Sequence, residues 1–429
     1  VPLQVGAPSI AFPRAAAASF WGWFLGSILV IASYIADGGP FGTSANGVNL
    51  WITAMGLVIV SLLIASVSLA TTVLALRAPG MTLDRTPLYS WSVAVATIMW
   101  IITLPVLVGF IVLMYVDHSH AGTSIGTTSA LYPAIGWLFR NPQIYVVAIP
   151  VLGFVADVVA SSVNSRTKAR WFAQSAITWF GIVSFGAFLA IPTARAVDSV
   201  LMVVLSLLAV VPVLAIGALT GDLARGGRLK ANPAIAYALS AYIVLLIATI
   251  AGALGSLPDV VEAPGEGTAG DSIYFLGVAH AVILAAIIGA LGGVTWWASK
   301  IGRRQANAKL ALMAPAILLV GTIASVVPNL VSGLAGSGNE LTPDPTGGMS
   351  SMNALALVGL VITGLGLALA AVSLLPLFKR SGDPVPADPW GTGQTLEWMT
   401  SSPPSVGNFD NELALVTSPE PLLDSREEK

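Results

Sequence analysis

Ten long apolar stretches separated by short polar connections restrict the fold of this chain more than any other feature. They run from Ala17 to Ala36, Leu50 to Leu76, Tyr89 to Val116, Leu131 to Val159, Trp171 to Ile191, Val200 to Thr220, Pro233 to Leu257, Ile273 to Ala298, Leu310 to Val331 and Ala354 to Leu377. A helix that crosses a bilayer needs about 20 mostly apolar residues, and each stretch meets that length. Only 9% of the 429 residues are charged and 55% are hydrophobic, where a soluble domain carries about 25% charged residues. A soluble fold is excluded. The expected class is all-α, a polytopic transmembrane bundle of about ten helices.

Charges between the stretches give an independent check, because cytoplasmic connections are enriched in Lys and Arg. Arg14, Arg77 and Arg85, Arg166 to Arg170, Arg225 to Lys230, Lys300 to Lys309, and Lys379 with Arg380 fall on alternate connections. The intervening loops carry Asp37, Asp117, Asp198, Asp259, Glu262, Glu266, Asp271, Glu340 and Asp344, with Arg195 the only basic residue there, and His118 and His120 belong to one such outward loop. The alternation supports ten spans with both chain ends on the cytoplasmic or matrix-equivalent side.

Beyond Arg380 the composition shifts to Pro, Ser, Asp and Glu with no further spanning run. We therefore expect residues 1–380 to form the transmembrane bundle and residues 381–429 a solvated tail along the membrane face. The chain starts at Val1, without a signal-peptide pattern, as a processed or truncated part of a longer protein would.

Composition also removes function classes. A net charge of -2 offers no basic field for nucleic acid, and the absence of cysteine excludes disulfides, thiolate metal sites and iron–sulfur clusters. No internal repeat, nucleotide-binding glycine loop, H-E-x-x-H or G-x-S-x-G is present. The three histidines are a small stock of the commonest protein ligand for heme and copper. Gly289, Gly292 and Gly293 suggest close helix contact before they suggest chemistry.

Several strings are specific. They are Val1-Pro-Leu-Gln-Val-Gly-Ala-Pro-Ser-Ile-Ala-Phe-Pro-Arg14 followed by Ser19-Phe-Trp21, Arg77-Ala-Pro-Gly-Met-Thr82, Asp388-Pro-Trp-Gly391, Gln394-Thr-Leu-Glu-Trp398, Thr400-Ser-Ser-Pro-Pro404 and Asn408-Phe409. Together they resemble cytochrome c oxidase subunit I of the heme-copper oxidase superfamily and bracket the whole chain. The resemblance covers the third to twelfth family helices, so the first two would precede Val1. It implies oxygen reduction at a high-spin heme beside a copper, fed through a low-spin heme and coupled to proton pumping.

Position by position, the residues that the resemblance assigns to that chemistry are replaced. The family's H-P-E-V-Y, with a copper-binding His, a proton-channel Glu and a His-linked Tyr, meets Asn141-Pro142-Gln143-Ile144-Tyr145. An amide cannot titrate, so Gln143 cannot relay a proton by changing charge, and Tyr145 has lost its His partner. The family's His-His pair falls between Phe185 and Thr193, where no register supplies a histidine, and the channel Lys of V-P-T-G-I-K becomes Ile216. Two registers are open for the family's A-H-F-H, which carries one ligand for each heme. One puts His280 at the high-spin heme position; the other, aligned on Trp296, Trp297 and Lys300, puts Gly277 and Ala279 at both places. The paired arginines that hold the heme propionates become Asn339 and Glu340, and a glutamate there would repel them.

Arg140 stands beside the former copper-ligand place. A charge at a helix centre costs at least about 2.5–3.5 kcal/mol by insertion scales. It either faces the interior and fills volume left by the metal centre, or snorkels to the outer surface.

The resulting expectation is a catalytically degenerate subunit I-like membrane protein, a structural or interaction subunit of a respiratory complex. Its partners would be other membrane subunits and lipid. No metal is expected, and heme only if His280 ligates or the second reading holds. That second reading is a divergent or incomplete subunit I of a working terminal oxidase that passes electrons from cytochrome c to oxygen. A conduit for an ion or small molecule, with Arg140 as its selective charge, is the third.

Overall fold

A computed structural model describes residues 1–120, 145–167, 169–187, 196–257, 260–261, 272–302, 304–337, 348–379 and 385–427. No β-strand element occurs among these residues, and ten long helices account for most of them. They are α1 Pro13–Ile35, α2 Ala45–Ala75, α3 Leu88–Ser119, α4 Ile149–Val163, α5 Arg170–Ala187, α6 Ala196–Gly226, α7 Pro233–Gly255, α8 Ile273–Gly302, α9 Ala308–Leu334 and α10 Gly348–Leu374. A short helix, α11 Pro421–Glu427, follows in the tail. Nine of the long helices, counting the 3₁₀ turn Val146–Ala148 with α4, are long and apolar enough to cross a membrane. The protein is an integral membrane helical bundle. The remaining long helix, α5, has 18 residues and covers the expected fifth span from Trp171 to Ala187, and the first part of the expected fourth span lies outside the described residues.

Local sequence explains the helix starts. Ser44, Asn232 and Asn307 precede α2, α7 and α9, and each side chain accepts a hydrogen bond from the third residue on, at 3.2, 3.0 and 3.2 Å. Proline opens α1 and α7 at the first turn, where its missing N–H costs nothing. Pro105, Pro212, Pro315 and Pro328 sit inside helices, as membrane helices tolerate when neighbours absorb the freed backbone groups.

The core lies among α3 to α9, with α4 the most enclosed helix: every residue from Val146 to Val163 except Val147, Pro150 and Asp157 is buried. By contrast α1 packs on α2 and exposes Phe20, Trp21, Trp23 and Phe24, as a surface in contact with acyl chains can. Close approach depends on small residues: a Cβ on Gly292 of α8 would lie 2.7 Å from both Phe154 Cε1 and Tyr237 Cβ.

Two expectations about helix ends change. Helix α3 continues through Asp117 and His118 to Ser119, so these are last-turn residues and not loop residues. Asp117 is buried, and His118 Nε2 lies 3.2 Å from Ala45 O at the start of α2. The tail, whose composition suggested solvation, folds onto the helix ends, with Leu396, Glu397 and Trp398 each at most 2% exposed. Apolar Leu396 and Trp398 pack there because the helix ends offer an apolar and hydrogen-bonding floor that composition alone does not reveal.

Candidate functional site

Two regions hold the residues that matter for function: the helix interior, where the resemblance places a cofactor site, and the end of the bundle that carries both chain ends. In the interior, Tyr145 is buried just before the turn that leads into α4. Its ring meets Phe180 of α5 edge-on at 5.4 Å, and its hydroxyl would lie 2.8 Å from a Cβ on Gly252 of α7. Ile216 of α6 is wholly buried in the apolar core. A side chain with no proton to exchange fills that place.

On α8, Val278, Ala281 and Val282 are at most 1% exposed and Ala279 is 9% exposed. A Cβ on Gly277 would sit 3.1 Å from Asn329 Cβ and 3.3 Å from Leu330 Cδ2, so α8 and α9 already touch there. His280 is half-buried and makes no hydrogen bond among the described residues. No group of three His, Asp or Glu side chains placed to hold a metal occurs among the described residues. Arg140, Asn141, Gln143, Asn339 and Glu340 lie outside the described residues, as does most of the segment from Phe185 to Thr193.

The end that carries both chain ends is built differently. Asp157 of α4 accepts from the backbone N–H groups of Leu88 (3.1 Å) and Tyr89 (2.9 Å), so one helix caps the start of another. Arg170, at the start of α5, is 9% exposed; it donates to the carbonyls of Thr86 and Asp84 and pairs with Glu420 of the tail at 3.3 Å. Burial pushes the Glu420 carboxyl above its ordinary value, with Arg170 and Arg166 opposing that rise.

Glu397 sits at the centre of this end. Its Oε1 accepts from Gln4 Nε2 (3.1 Å) and Trp297 Nε1 (3.2 Å), and Gln4 Oε1 in turn accepts from Ser90 Oγ (2.6 Å). Lys300 donates to Thr400 O at 2.6 Å and lies over the Trp398 ring at 5.6 Å. Trp296 stacks on Trp390 with centroids 5.0 Å apart and meets Trp398 edge-on. Gln394 donates to Ala160 O and Ser165 O, and Asn408 to Ala7 O. A void of about 10 Å³, the scale of one water, lies between Gln4, Asp157, Arg170, Glu397 and Glu420. Glu397 Oε2, buried beside it, has no hydrogen-bond partner among the described residues.

Sequence reasoning missed this polar cluster as a unit. Its parts had a signal, because Gln4, Thr395-Leu-Glu-Trp398 and Asn408 belong to the specific strings. Their joining did not, because partners such as Gln4 and Glu397 are 393 positions apart.

The arrangement fastens both chain ends to the bundle. The profile of the family described as Cytochrome C and Quinol oxidase polypeptide I matches residues 1–371. A Nocardia farcinica protein named "Probable cytochrome c oxidase subunit 1-beta" is 25% identical over 99% of this chain and 74% of its own length. Cytochrome c oxidase subunit 1 of Bacillus subtilis is 24% identical over 98% of this chain and 70% of its own. The protein of that name from Synechocystis is 26% identical over 98% and 78%.

Proposed function

The chain belongs to the cytochrome c and quinol oxidase polypeptide I family, and we propose that it works there as a structural and interaction subunit of a respiratory membrane complex, without an oxygen-reducing centre of its own. The observation that carries the proposal is the packing of α8 at the two ligand places. Trp297 and Lys300 bond to Glu397 and Thr400 of the family-like tail, and Trp296 stacks on Trp390. These contacts favour the register anchored at that helix end, which puts Gly277 and Ala279 where the resemblance calls for imidazoles.

Heme and copper do not fit the residues present. A ligand place held by glycine has no nitrogen to bind iron, and a Cβ added there would already stand 3.1 Å from Asn329 Cβ of α9. Ile216 replaces the channel Lys in a fully packed core, and Asn141, Gln143, Asn339 and Glu340 complete the same pattern in sequence. Other membrane subunits are the expected partners, since the relatives are themselves named as subunits. Both chain ends on the cytoplasmic side of a bacterial or equivalent energy-transducing membrane is the orientation that the Lys and Arg distribution supports.

The match over residues 1–371 favours a second reading, a divergent subunit I of a working oxidase, which would need imidazoles from another chain. Iron and copper analysis of purified protein separates the two, with oxygen consumption on reduced cytochrome c as a second readout. The proposal expects neither metal in stoichiometric amount and no oxygen uptake. One heme per chain with oxidase-type visible bands overturns it.

A further inference from the structure

The small void at the end that carries both chain ends has polar walls, and one buried atom beside it lacks a hydrogen bond. Glu397 is 1% exposed, and its Oε1 accepts from Gln4 Nε2 and Trp297 Nε1. Its Oε2 has no hydrogen-bond partner among the described residues, and the void of about 10 Å³ lies against the same side chain. Protonation does not remove the difficulty. As a carboxylate oxygen Oε2 needs a donor, and as a carboxyl O–H it needs an acceptor, so either form is costly to leave unpaired in the interior.

The other walls supply both kinds of partner. Arg170 lines the void, and among the described residues it gives three of its five N–H groups to the carbonyls of Asp84 and Thr86 and to Glu420. Asp157, also in the wall, accepts one backbone N–H at each oxygen, which leaves a lone pair on both. A void of this volume admits one water and nothing larger, and a buried water needs two to four polar partners. A cation is the poorer occupant, because the Arg170 guanidinium repels it and no group of three His, Asp or Glu side chains placed to hold a metal occurs among the described residues. Voids that stay dry have apolar walls, and these walls are charged.

We propose that one ordered water occupies this void, donating to Glu397 Oε2 and to Asp157 and accepting from Arg170. The side-chain bonds at this end form three groups: Glu397 with Gln4, Ser90 and Trp297; Asp157 with the first turn of α3; and Arg170 with Glu420. The water makes them one network, so that both tail carboxylates are tied through it to α3, α4, α5 and α8. The site is separate from the interior ligand places and stands whether or not the chain carries a redox centre.

The test uses the full chain, crystallised from a lipid mesophase at a resolution that shows ordered water. One peak is expected about 2.5–3.2 Å from Glu397 Oε2 and from Asp157 or Arg170. A void without density while Glu397 keeps Gln4 and Trp297 overturns the proposal, as does Oε2 turned onto a protein donor. A peak with the contacts of about 2.3–2.6 Å that a cation such as calcium makes overturns it as well. Solid-state NMR of the full chain carrying ¹³C-labelled Glu and Val is the second readout, with the Glu397 carboxyl identified by its loss in Glu397→Gln. Magnetisation from water should reach that carboxyl severalfold faster than it reaches the buried core valines, and an equal rate overturns the proposal. Should Glu397→Gln fail to fold, the density in the unmodified chain decides alone.

Discussion

The two ends of the functional problem lie in one molecule and are made of opposite materials. At the end that carries both chain ends, charged and amide side chains are buried and joined: Asp157 caps α3, Arg170 meets Glu420, and Glu397 links Gln4 to Trp297. Within the bundle, Gly277, Ala279 and Ile216, which the proposed reading sets at the family's ligand and proton-carrier places, are buried among apolar neighbours. Desolvating a charge is expensive unless partners compensate, so the polar end is kept only by a full set of contacts. On the proposed reading the interior uses the other solution, in which groups that would need a cofactor or a proton path give way to groups that need only packing.

The strongest way to break that comparison is to remove the central cation of the polar end. Arg170→Ala should destabilise the protein by about 3–5 kcal/mol, because Glu420 is left buried without its nearest partner and the Thr86 carbonyl loses a donor. Thermal unfolding in detergent and trypsin release of the tail measure it, and Arg170→Lys should recover only part, since an ammonium cannot reach two carbonyls and a carboxylate at once. A loss below about 1 kcal/mol would show that this end is decoration and the bundle alone carries the fold.

The second prediction attacks the interior. Introducing Gly277→His and Ala279→His should produce no heme absorbance in protein expressed with heme supplied, and should cost about 1–3 kcal/mol by overpacking α8 against α9. Iron uptake with oxidase-type bands would mean that the space for a porphyrin persists and that only ligands are missing, which sharpens the contrast into one of residues and not of packing.

How much of this was legible in sequence differs between the two regions for a physical reason. Apolar length and the alternation of Lys and Arg are local properties, so the ten helices could be read directly, and Asn141, Gln143 and Ile216 could be set against the family's copper ligand and two proton-channel residues as expected replacements. Helix ends were less legible: nothing in the charge pattern shows that α3 carries Asp117 and His118 in its last turn. The tail was least legible. Its Pro, Ser, Asp and Glu content reads as solvated, yet Arg170 and Glu420 lie 250 positions apart and become partners only once the helices have assembled.

The third prediction uses pH. Burial raises the Glu420 carboxyl above its ordinary 4.5, so between the two values the folded chain holds more protons than the unfolded one. The stability tied to this group is therefore complete below about pH 4.5 and is lost as pH rises through the raised value. Glu420→Gln should flatten that part of the profile of Tm against pH, measured from pH 4 to 8. A profile unchanged by the substitution would assign the slope to other carboxyls at this end.

The smallest effect should come from a neighbour that looks equally well paired. Arg166 contacts Glu427 at 2.7 Å and also meets Asp424 and Glu420, so it has three carboxylate partners where Arg170 has one. Its side chain is 39% exposed against 10% for Arg170, and Glu427 is 60% exposed. Water and salt can replace these partners, so Arg166→Ala should cost about 0–1 kcal/mol, and the difference should shrink further as ionic strength rises past a Debye length of about 8 Å at 0.15 M. Unfolding of both variants at low and high salt makes the comparison. If Arg166→Ala costs as much as Arg170→Ala, the strength of this end comes from the number of ion pairs. If it does not, burial decides which of two arginines four residues apart holds the tail.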